Sequence, residues 1–175
     1  GSPQQIGVSR VHLEEDAGKS THDRVGAGRS GIDLNRAGVP LVEIVSQPQL
    51  HSPEDAYLYL ERLRSILRVT AVCDADMEKG TLRCDANVSV RRAGEPLSAR
   101  VEIKNLNSFR FVRRALQHEI DRQIAVVSSG SEVVQETRLW DEAQAVTRTM
   151  RDKEQAEDYR YFPDPDLRPL VVDTL

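Results

Sequence analysis

The stretch His12-Leu-Glu-Glu-Asp-Ala-Gly-Lys19 places an imidazole, three carboxylates and an ammonium group within eight residues. Adjacent carboxylates repel each other unless a positive group lies between them, and Lys19, a distant arginine or a divalent cation could supply it. The stretch continues residues 6–11, whose alternation of apolar and polar side chains predicts a half-buried strand. A solvated strand end that turns at Gly18 is the simpler interpretation, and the spacing leaves both open. Strand alternation puts two sets on opposite faces: His12, Glu14 and Asp16 on one, Leu13 and Glu15 on the other.

A second polar row lies on residues 81–90, which alternate between apolar and polar side chains. The polar set is Arg83, Asp85, Asn87 and Ser89, and Asp and Asn are poor strand formers. Residues 91–96 predict a hairpin turn, and residues 99–104 predict the returning strand. This antiparallel hairpin brings Asp85 within reach of Glu102, beside the first charged strand if the sheet is continuous. A solvent-facing strand would show a similar pattern.

The whole chain has 175 residues, 39% hydrophobic and 30% charged, which is ordinary for a soluble globular protein. No apolar run approaches the roughly 18 residues of a membrane span, so we expect a soluble, cytoplasmic protein without membrane contact. The net charge of −4 disfavours a general nucleic-acid binder but allows a local basic face. We expect Cys73 and Cys84 to be reduced. Residues 1–5 are typical of a tag remnant or flexible start, and residues 6–175 of one domain excised from something longer.

The elements that must position these residues can be predicted along the chain. Residues 20–30 are polar and rich in glycine, which favours a mobile loop. Residues 32–35 and 41–45 predict short strands, and Glu43 in the second must face water or have a partner. Ser52 and Pro53 begin a helix. Its apolar stripe, which we expect to lie on a sheet, is Ala56, Leu60, Leu63 and Leu67.

The second half predicts another helix and another hairpin. Residues 69–72 favour the beginning of a strand, and residues 105–108 cap a helix of about twenty residues that stops at Gly130. Residues 132–139 and 145–150 predict a further hairpin. The expected buried stripe of the second helix is Phe111, Ala115, Leu116, Ile120 and Ile124. Its basic residues, which could bind phosphate but more simply pair with Glu119 and Asp121, are Arg110, Arg113, Arg114 and Arg122.

Residues 158–166, Asp-Tyr-Arg-Tyr-Phe-Pro-Asp-Pro-Asp, predict an extended, aromatic segment broken by proline. Such a segment usually packs over a sheet edge. Arg160, flanked by Tyr159 and Tyr161, would also suit a nucleotide or a phosphate.

Five motifs in this order carry a resemblance: His-Leu-Glu-Glu-Asp-Ala-Gly-Lys, Asn-Arg-Ala-Gly-Val-Pro-Leu-Val-Glu-Ile-Val, Leu-Arg-Cys-Asp-Ala-Asn-Val-Ser-Val, Glu-Ile-Lys-Asn-Leu-Asn-Ser-Phe and Asp-Tyr-Arg-Tyr-Phe-Pro. From about Ile6 to the C-terminus the chain resembles the B subunits of the aspartyl/glutamyl-tRNA amidotransferases. The resemblance implies a protein that uses ATP and Mg2+ to phosphorylate the side-chain carboxylate of glutamate or aspartate mischarged on tRNA-Gln or tRNA-Asn. Ammonia from a partner amidase subunit then forms the amide, and a small third subunit completes a heterotrimer.

The resemblance also implies a fold and a set of site residues. The fold is α+β: part of a glutamine synthetase-like cradle domain, a mainly antiparallel sheet with two long helices packed on it. The implied roles are metal ligation by Glu14, Glu15 and Glu102, catalysis by Glu15, Lys19 and Asp85, and cofactor binding by Asn87, Arg160 and Tyr161. Magnesium prefers oxygen ligands, which agrees with these residue types. The alternation and the resemblance together predict that Glu15 and Glu102 lie near each other on adjoining strands.

Two other classes of function fit the same acids. A carboxylate-cluster metal hydrolase would need an activated water but no ATP, so nucleotide binding distinguishes it. In a non-catalytic scaffold of a multi-subunit complex, the acids would only balance the arginines, and metal binding would argue against it.

Overall fold

The computed structural model describes residues 4–21 and 31–150. The helices and strands in these ranges are β1 (Val8–Glu15), β2 (Lys19–Thr21), β3 (Gly31–Asp33), β4 (Pro40–Ser46), α1 (Pro53–Val69), β5 (Ala86–Val88), β6 (Val101–Lys104), α2 (Phe109–Ser128), β7 (Glu136–Asp141) and β8 (Val146–Thr149). The α+β class is confirmed. The predicted mobile loop, residues 20–30, lies outside the described ranges except for Ser20 and Thr21, which belong to β2.

The strands form three separate sheets and not one continuous sheet. β1 pairs with β4, β2 pairs with β3, and the third sheet has the order β5-β6-β7-β8. The prediction of a mainly antiparallel sheet holds in part: four of the five strand pairings in the described residues are antiparallel, but β6 and β7, at the centre of the largest sheet, run parallel. The reason is the connection: α2 carries the chain from the end of β6 back to the start of β7, as a crossover between parallel strands must. The two predicted hairpins, β5-β6 and β7-β8, are antiparallel as expected.

Helix α1 begins as its sequence predicts, because the Ser52 hydroxyl accepts a hydrogen bond from the Asp55 N–H at 3.1 Å and Pro53 follows the cap. We expected this helix to lie on a sheet, but it packs mainly on α2. Helix α2 already covers the inner face of the four-stranded sheet, so α1 forms an outer layer. Its buried residues Ala56 and Leu60 join the core.

Of the predicted strands, the one at residues 69–72 is absent and the one at residues 81–90 is shorter than expected. Residues 69–72 form the end of α1 and a turn, with Ala71 at φ +57°, and not the beginning of a strand. Of residues 81–90, only Ala86–Val88 pair, because the partner strand β6 has just four residues. The predicted alternation still holds, since Ala86 is buried whereas Asp85 and Asn87 are exposed.

The buried stripe of α2 differs from the predicted one at its C-terminal half. Phe111, Ala115 and Leu116 are buried as expected, but Ile124 is 50% exposed. Glu119 and Gln123 are fully buried in the stripe instead. Sequence periodicity ranks residues by hydrophobicity, so it could not place a carboxylate and an amide in the core.

Glu119 is stabilised in the core by a set of donors from three elements. Arg122 Nε and Gln123 Nε2 each donate to it at 3.0 Å, and the Thr147 hydroxyl donates at 2.8 Å. Arg138 Nε on β7 lies 3.4 Å from its second oxygen. Burial raises the pKa of Glu119, but hydrogen bonds from Arg122, Gln123 and Thr147 outweigh it, so that pKa lies below its ordinary value. We call these residues the Glu119 cluster.

Cys73 and Cys84 are unpaired, as expected for reduced thiols. Neither helix in the described ranges is long and apolar enough to cross a membrane.

We expect Glu119→Gln to lower the free energy of unfolding by about 3 kcal/mol at neutral pH, because it leaves the partly buried guanidinium groups of Arg122 and Arg138 facing a buried neutral amide. Asp121→Asn, exposed on the same helix, is the matched control and should change stability by less than about 0.5 kcal/mol. Denaturant unfolding measures both. Equal stability of the two variants would contradict a stabilising role for the ionised cluster.

The same variant has a predicted pH dependence. The pKa of Glu119 is lowered by folding, so its charge stabilises the fold above the unfolded pKa, and this stability is lost as the pH falls through the folded pKa. Glu119→Gln lacks that loss. The stability difference between wild type and variant should therefore shrink in acid, which denaturant unfolding between neutral pH and pH of about 3 would detect.

Candidate functional site

The outer face of the four-stranded sheet carries a row of polar side chains that crosses three strands. The helices pack on the other face, where Val101 and Ile103 of β6 are fully buried. Glu102 and Lys104 alternate with them and therefore point outward. Asn87 of β5 and Thr137 of β7 are both register partners of Glu102, which sets the three side chains side by side.

Direct contacts join this row to Asp85. The Thr137 hydroxyl donates to one oxygen of Glu102 at 3.0 Å, and Lys104 Nζ lies 3.4 Å from the other. Lys104 Nζ also donates to Asp85 at 3.2 Å, so one ammonium group joins two carboxylates. The prediction that the hairpin brings Asp85 within reach of Glu102 agrees with this shared contact. We call Asp85, Asn87, Glu102, Lys104 and Thr137 the open-face site.

The carboxylates set the protonation of the lysine. Partial burial lowers the pKa of Lys104. The charges of Asp85 and Glu102 and their hydrogen bonds raise it by a larger amount, so the pKa of Lys104 lies above its ordinary value. The site is therefore two anionic groups compensated by one cation. The two carboxylates can offer oxygens to a divalent cation, and the ammonium group of Lys104 can bind an anion.

A second polar group lies on the β1-β4 sheet. One ligand atom from each of His12, Glu14 and Glu43 lies within 4.8 Å of the others. Internal contacts already satisfy part of this group, since His12 Nδ1 is 2.9 Å from Glu14 and Arg10 donates to Glu43 at 2.6 Å. Glu43 thus has the partner that its place in an apolar strand required. An imidazole and two carboxylates are also a donor set for a divalent metal.

The structure separates several residues that sequence reasoning placed in one site. Glu14 and Glu15 are neighbours on β1, so their side chains point to opposite faces. Glu15 lies in the β1-β4 sheet and Glu102 in the four-stranded sheet, so the prediction of adjoining strands is wrong. The physical reason is that β5 and β7 occupy both edges of β6, so β6 has no free edge with which β1 could pair, and β1 pairs with β4 instead. Lys19 begins β2, which pairs with β3 in the remaining sheet.

Asp85, Asn87 and Glu102 are the predicted site residues that the structure brings together, on the open face. Arg160 and Tyr161 lie outside the described residues. Lys104 and Thr137 were missed. Lys104 follows Glu102 by two residues, so strand alternation could have found it, whereas Thr137 depends on the parallel pairing of β6 with β7.

Asp16 has a different role from the charged stretch that contains it. It is 8% exposed, and Arg83 Nη2 and Arg36 Nε lie 2.9 Å and 2.8 Å from one of its oxygens. Burial raises the pKa of Asp16, but these guanidinium groups hold it below the ordinary value. Arg36 also donates to the Gly80 carbonyl at 2.6 Å. Asp16 therefore ties the end of β1 to the segment that leads into β5.

Comparison with known proteins identifies the family. All residues, 1–175, match the family model described as the GatB/GatE catalytic domain. The chain belongs to this family. It is similar to proteins named as the B subunit of aspartyl/glutamyl-tRNA(Asn/Gln) amidotransferase, with 61% identity over 173 residues to that of Granulibacter bethesdensis and 58% over 174 residues to that of Halorhodospira halophila. Each alignment covers 99% of the chain and 36% of the relative, so this GatB/GatE catalytic domain spans about a third of their length.

The contacts of the open-face site in this GatB/GatE domain predict how the pKa of Lys104 responds to a change at Asp85. Asp85→Asn removes one of the two charges that raise the lysine pKa, so that pKa should fall towards or below its ordinary value. NMR titration of the Lys104 side chain measures it. Asp74→Asn, exposed and without a contact to Lys104, is the control. An unchanged Lys104 pKa in Asp85→Asn would show that the contact does not persist in solution.

Proposed function

We propose that this chain is a catalytic part of a tRNA-dependent amidotransferase subunit. It would use ATP and Mg2+ to phosphorylate the side-chain carboxylate of glutamate or aspartate mischarged on tRNA-Gln or tRNA-Asn. A partner amidase subunit would supply the ammonia that forms the amide, and a small third subunit would complete the complex in the cytoplasm. The described sheets and helices would form part of a glutamine synthetase-like cradle.

The observation that carries this proposal is the open-face site in a chain of the GatB/GatE family. Its relatives carry the name of an aspartyl/glutamyl-tRNA(Asn/Gln) amidotransferase subunit. The transfer of a phosphoryl group needs positioning and charge neutralisation more than covalent help from the protein. The open face offers both kinds of group, because carboxylates and an ammonium lie together on a rigid sheet.

The donor set fits magnesium. Asp85, Asn87 and Glu102 offer side-chain oxygens on the open face, from β6, from β5 and from the residue before β5. Glu14 and Glu15, which point to opposite faces of β1 in a separate sheet, are also assigned to metal binding, but not as part of this open-face donor set. Bound Mg2+ would neutralise charge on the phosphoryl oxygens. Lys104 would hold a nearby anionic oxygen, and Thr137 would fix the orientation of Glu102.

The remaining assignments concern Lys19, Arg160 and Tyr161. We assign Lys19 and Glu15 to catalysis, Lys19 because its ammonium group can neutralise developing negative charge. Arg160 and Tyr161 would bind ATP, because a guanidinium group forks onto phosphate and an aromatic ring stacks on a base.

A metal-dependent hydrolase is the second candidate, and the group of His12, Glu14 and Glu43 favours it. An imidazole with two carboxylates suits a metal that activates water. Binding of ATP by the chain would support the amidotransferase, and metal-dependent hydrolysis without nucleotide would support the hydrolase.

Glu15→Gln in the full-length subunit should abolish tRNA-dependent amidation, with a loss of about 10²-fold or more, while glutamine hydrolysis by the partner still proceeds. Glutamine keeps the shape of glutamate but cannot neutralise a cation. Both half-reactions are assayed in the reconstituted complex at saturating ATP and Mg2+. Glu95→Gln, exposed in a turn, is the charge-matched control. Near-normal amidation by Glu15→Gln would make Glu15 a structural acid and favour the scaffold interpretation.

Thr137→Val should raise the Mg2+ concentration needed for half-maximal amidation by about tenfold, because it removes a hydrogen bond to a charged carboxylate and leaves the β-branched shape. Thr137→Ser should restore the wild-type value. Binding of Mn2+, followed by electron paramagnetic resonance without ATP, gives a readout that does not need activity. Leu139→Val, on the same strand and face, is the control. Equal Mn2+ affinity in Thr137→Val and wild type would exclude the orienting role.

A further inference from the structure

We propose that a group of arginines at the N-terminal end of α2 binds the phosphate backbone of RNA. The group, called the arginine cluster, consists of Arg110, Arg113 and Arg114 of α2 together with Arg64 of the neighbouring helix α1. The inference rests on the proposed function in one respect only, which is that the RNA is the tRNA that carries the glutamate or aspartate to be modified. The binding itself needs neither ATP nor metal.

Each guanidinium group of the cluster lies over an aromatic ring. The distances from guanidinium carbon to ring centroid are 4.9 Å for Arg64 over Phe109, 5.4 Å for Arg110 over Phe111, 5.2 Å for Arg113 over Tyr57 and 5.9 Å for Arg114 over Trp140. Stacking orders the long side chains and leaves their N–H edges available. The cluster is therefore an ordered set of donors and not a set of flexible surface charges.

The positive charge of the cluster is only partly compensated. Glu54 pairs with Arg113 at 2.9 Å, and Glu61 lies 3.9 Å from Arg64 on the same helix. Within the described part of the chain, no carboxylate lies within 4 Å of Arg110 or Arg114, although both are exposed. The basic residue Arg122, further along α2, is by contrast held by Glu119.

The first turn of α2 supplies no negative charge to balance the arginine cluster. No acidic residue occupies its first turn, whereas α1 begins with Glu54 and Asp55. Positive side chains at the positive end of a helix dipole are unfavourable for the fold alone. An anion bound across the cluster would remove that repulsion.

The position of the cluster relates it to the open-face site. β6 ends at Lys104, and α2 begins at Phe109. β7 runs parallel to β6 and ends at Asp141, next to the Trp140 ring that Arg114 covers. The ends of both strands meet at one edge of the sheet, where the Lys104–Asp85 pair also lies. A strand of RNA held on the arginine cluster could therefore continue onto the open face.

The arrangement fits a polyanion better than a single nucleotide. Arg110, Arg113 and Arg114 occupy one exposed strip of α2 at three- and four-residue spacing, and Arg64 extends it from α1. A mononucleotide would need donors that converge on one phosphate, whereas a strip of donors matches successive phosphates. An acidic protein surface is the competing occupant.

The test is the salt dependence of RNA binding by the full-length protein that contains this chain. The probe is tRNA-Gln made by transcription, which carries no amino acid. Fluorescence anisotropy measures its dissociation constant from low to moderate salt. The double variant Arg110→Gln/Arg114→Gln removes the two uncompensated guanidinium groups. Arg91→Gln/Arg92→Gln makes the same charge change in the exposed hairpin turn at the other end of β6. Thermal unfolding checks that each variant is folded.

We expect the Arg110/Arg114 variant to bind about tenfold or more weakly at fixed salt. Its slope of log affinity against log salt should be smaller by about 0.7–0.9 for each phosphate that the variant no longer neutralises. The Arg91/Arg92 control should keep the wild-type slope. Equal slopes in all three proteins, or weaker association with a partner protein and unchanged RNA binding, would overturn the proposal. A failure of the proposed function would instead show as absence of ATP-dependent amidation in wild type with these RNA slopes intact.

Discussion

The ion pair between Glu119 and Arg138, surrounded by the other donors of the Glu119 cluster, is the constraint on which the rest of the sheet depends. A buried carboxylate is tolerated only when hydrogen bonds and opposite charge replace its hydration. Arg138 must therefore face α2. Since strand side chains alternate, Thr137 must then face outward, where its hydroxyl meets Glu102. The inner ion pair thus decides which side chains of β7 reach the open face.

Asp16 exerts a comparable constraint between sheets. Its contacts with Arg83 and Arg36 join segments that are far apart in sequence, and they compensate a carboxylate that is almost fully buried. Of the acids in the stretch His12–Lys19, the one most engaged with arginine is therefore structural. Glu14 and Glu15 stay more accessible than Asp16, on opposite faces of β1.

Local patterns predicted much of the secondary structure, and each success has a local cause. The caps at Ser52 and Ser108 depend on side chains that bond to backbone N–H groups three residues on, so the helix starts were visible in sequence. Glu119 and Gln123 show the limit. Glu119 is compensated by Thr147 and Arg138, and Gln123 donates to Glu119 and to the Val88 carbonyl. These partners lie on strands that sequence periodicity cannot pair with a helix.

The sequence by itself determined the helices, the two hairpins, the proximity of Asp85 to Glu102 and the family, because each depends on residues near one another or on long ordered motifs. Only the tertiary structure decided that β6 and β7 run parallel, that Glu15 and Glu102 lie in different sheets, and that Thr137 contacts Glu102. The physical reason is that pairing between distant strands follows from which charges and apolar faces must be buried together. That choice depends on contacts across the whole chain and not on the spacing within any one element.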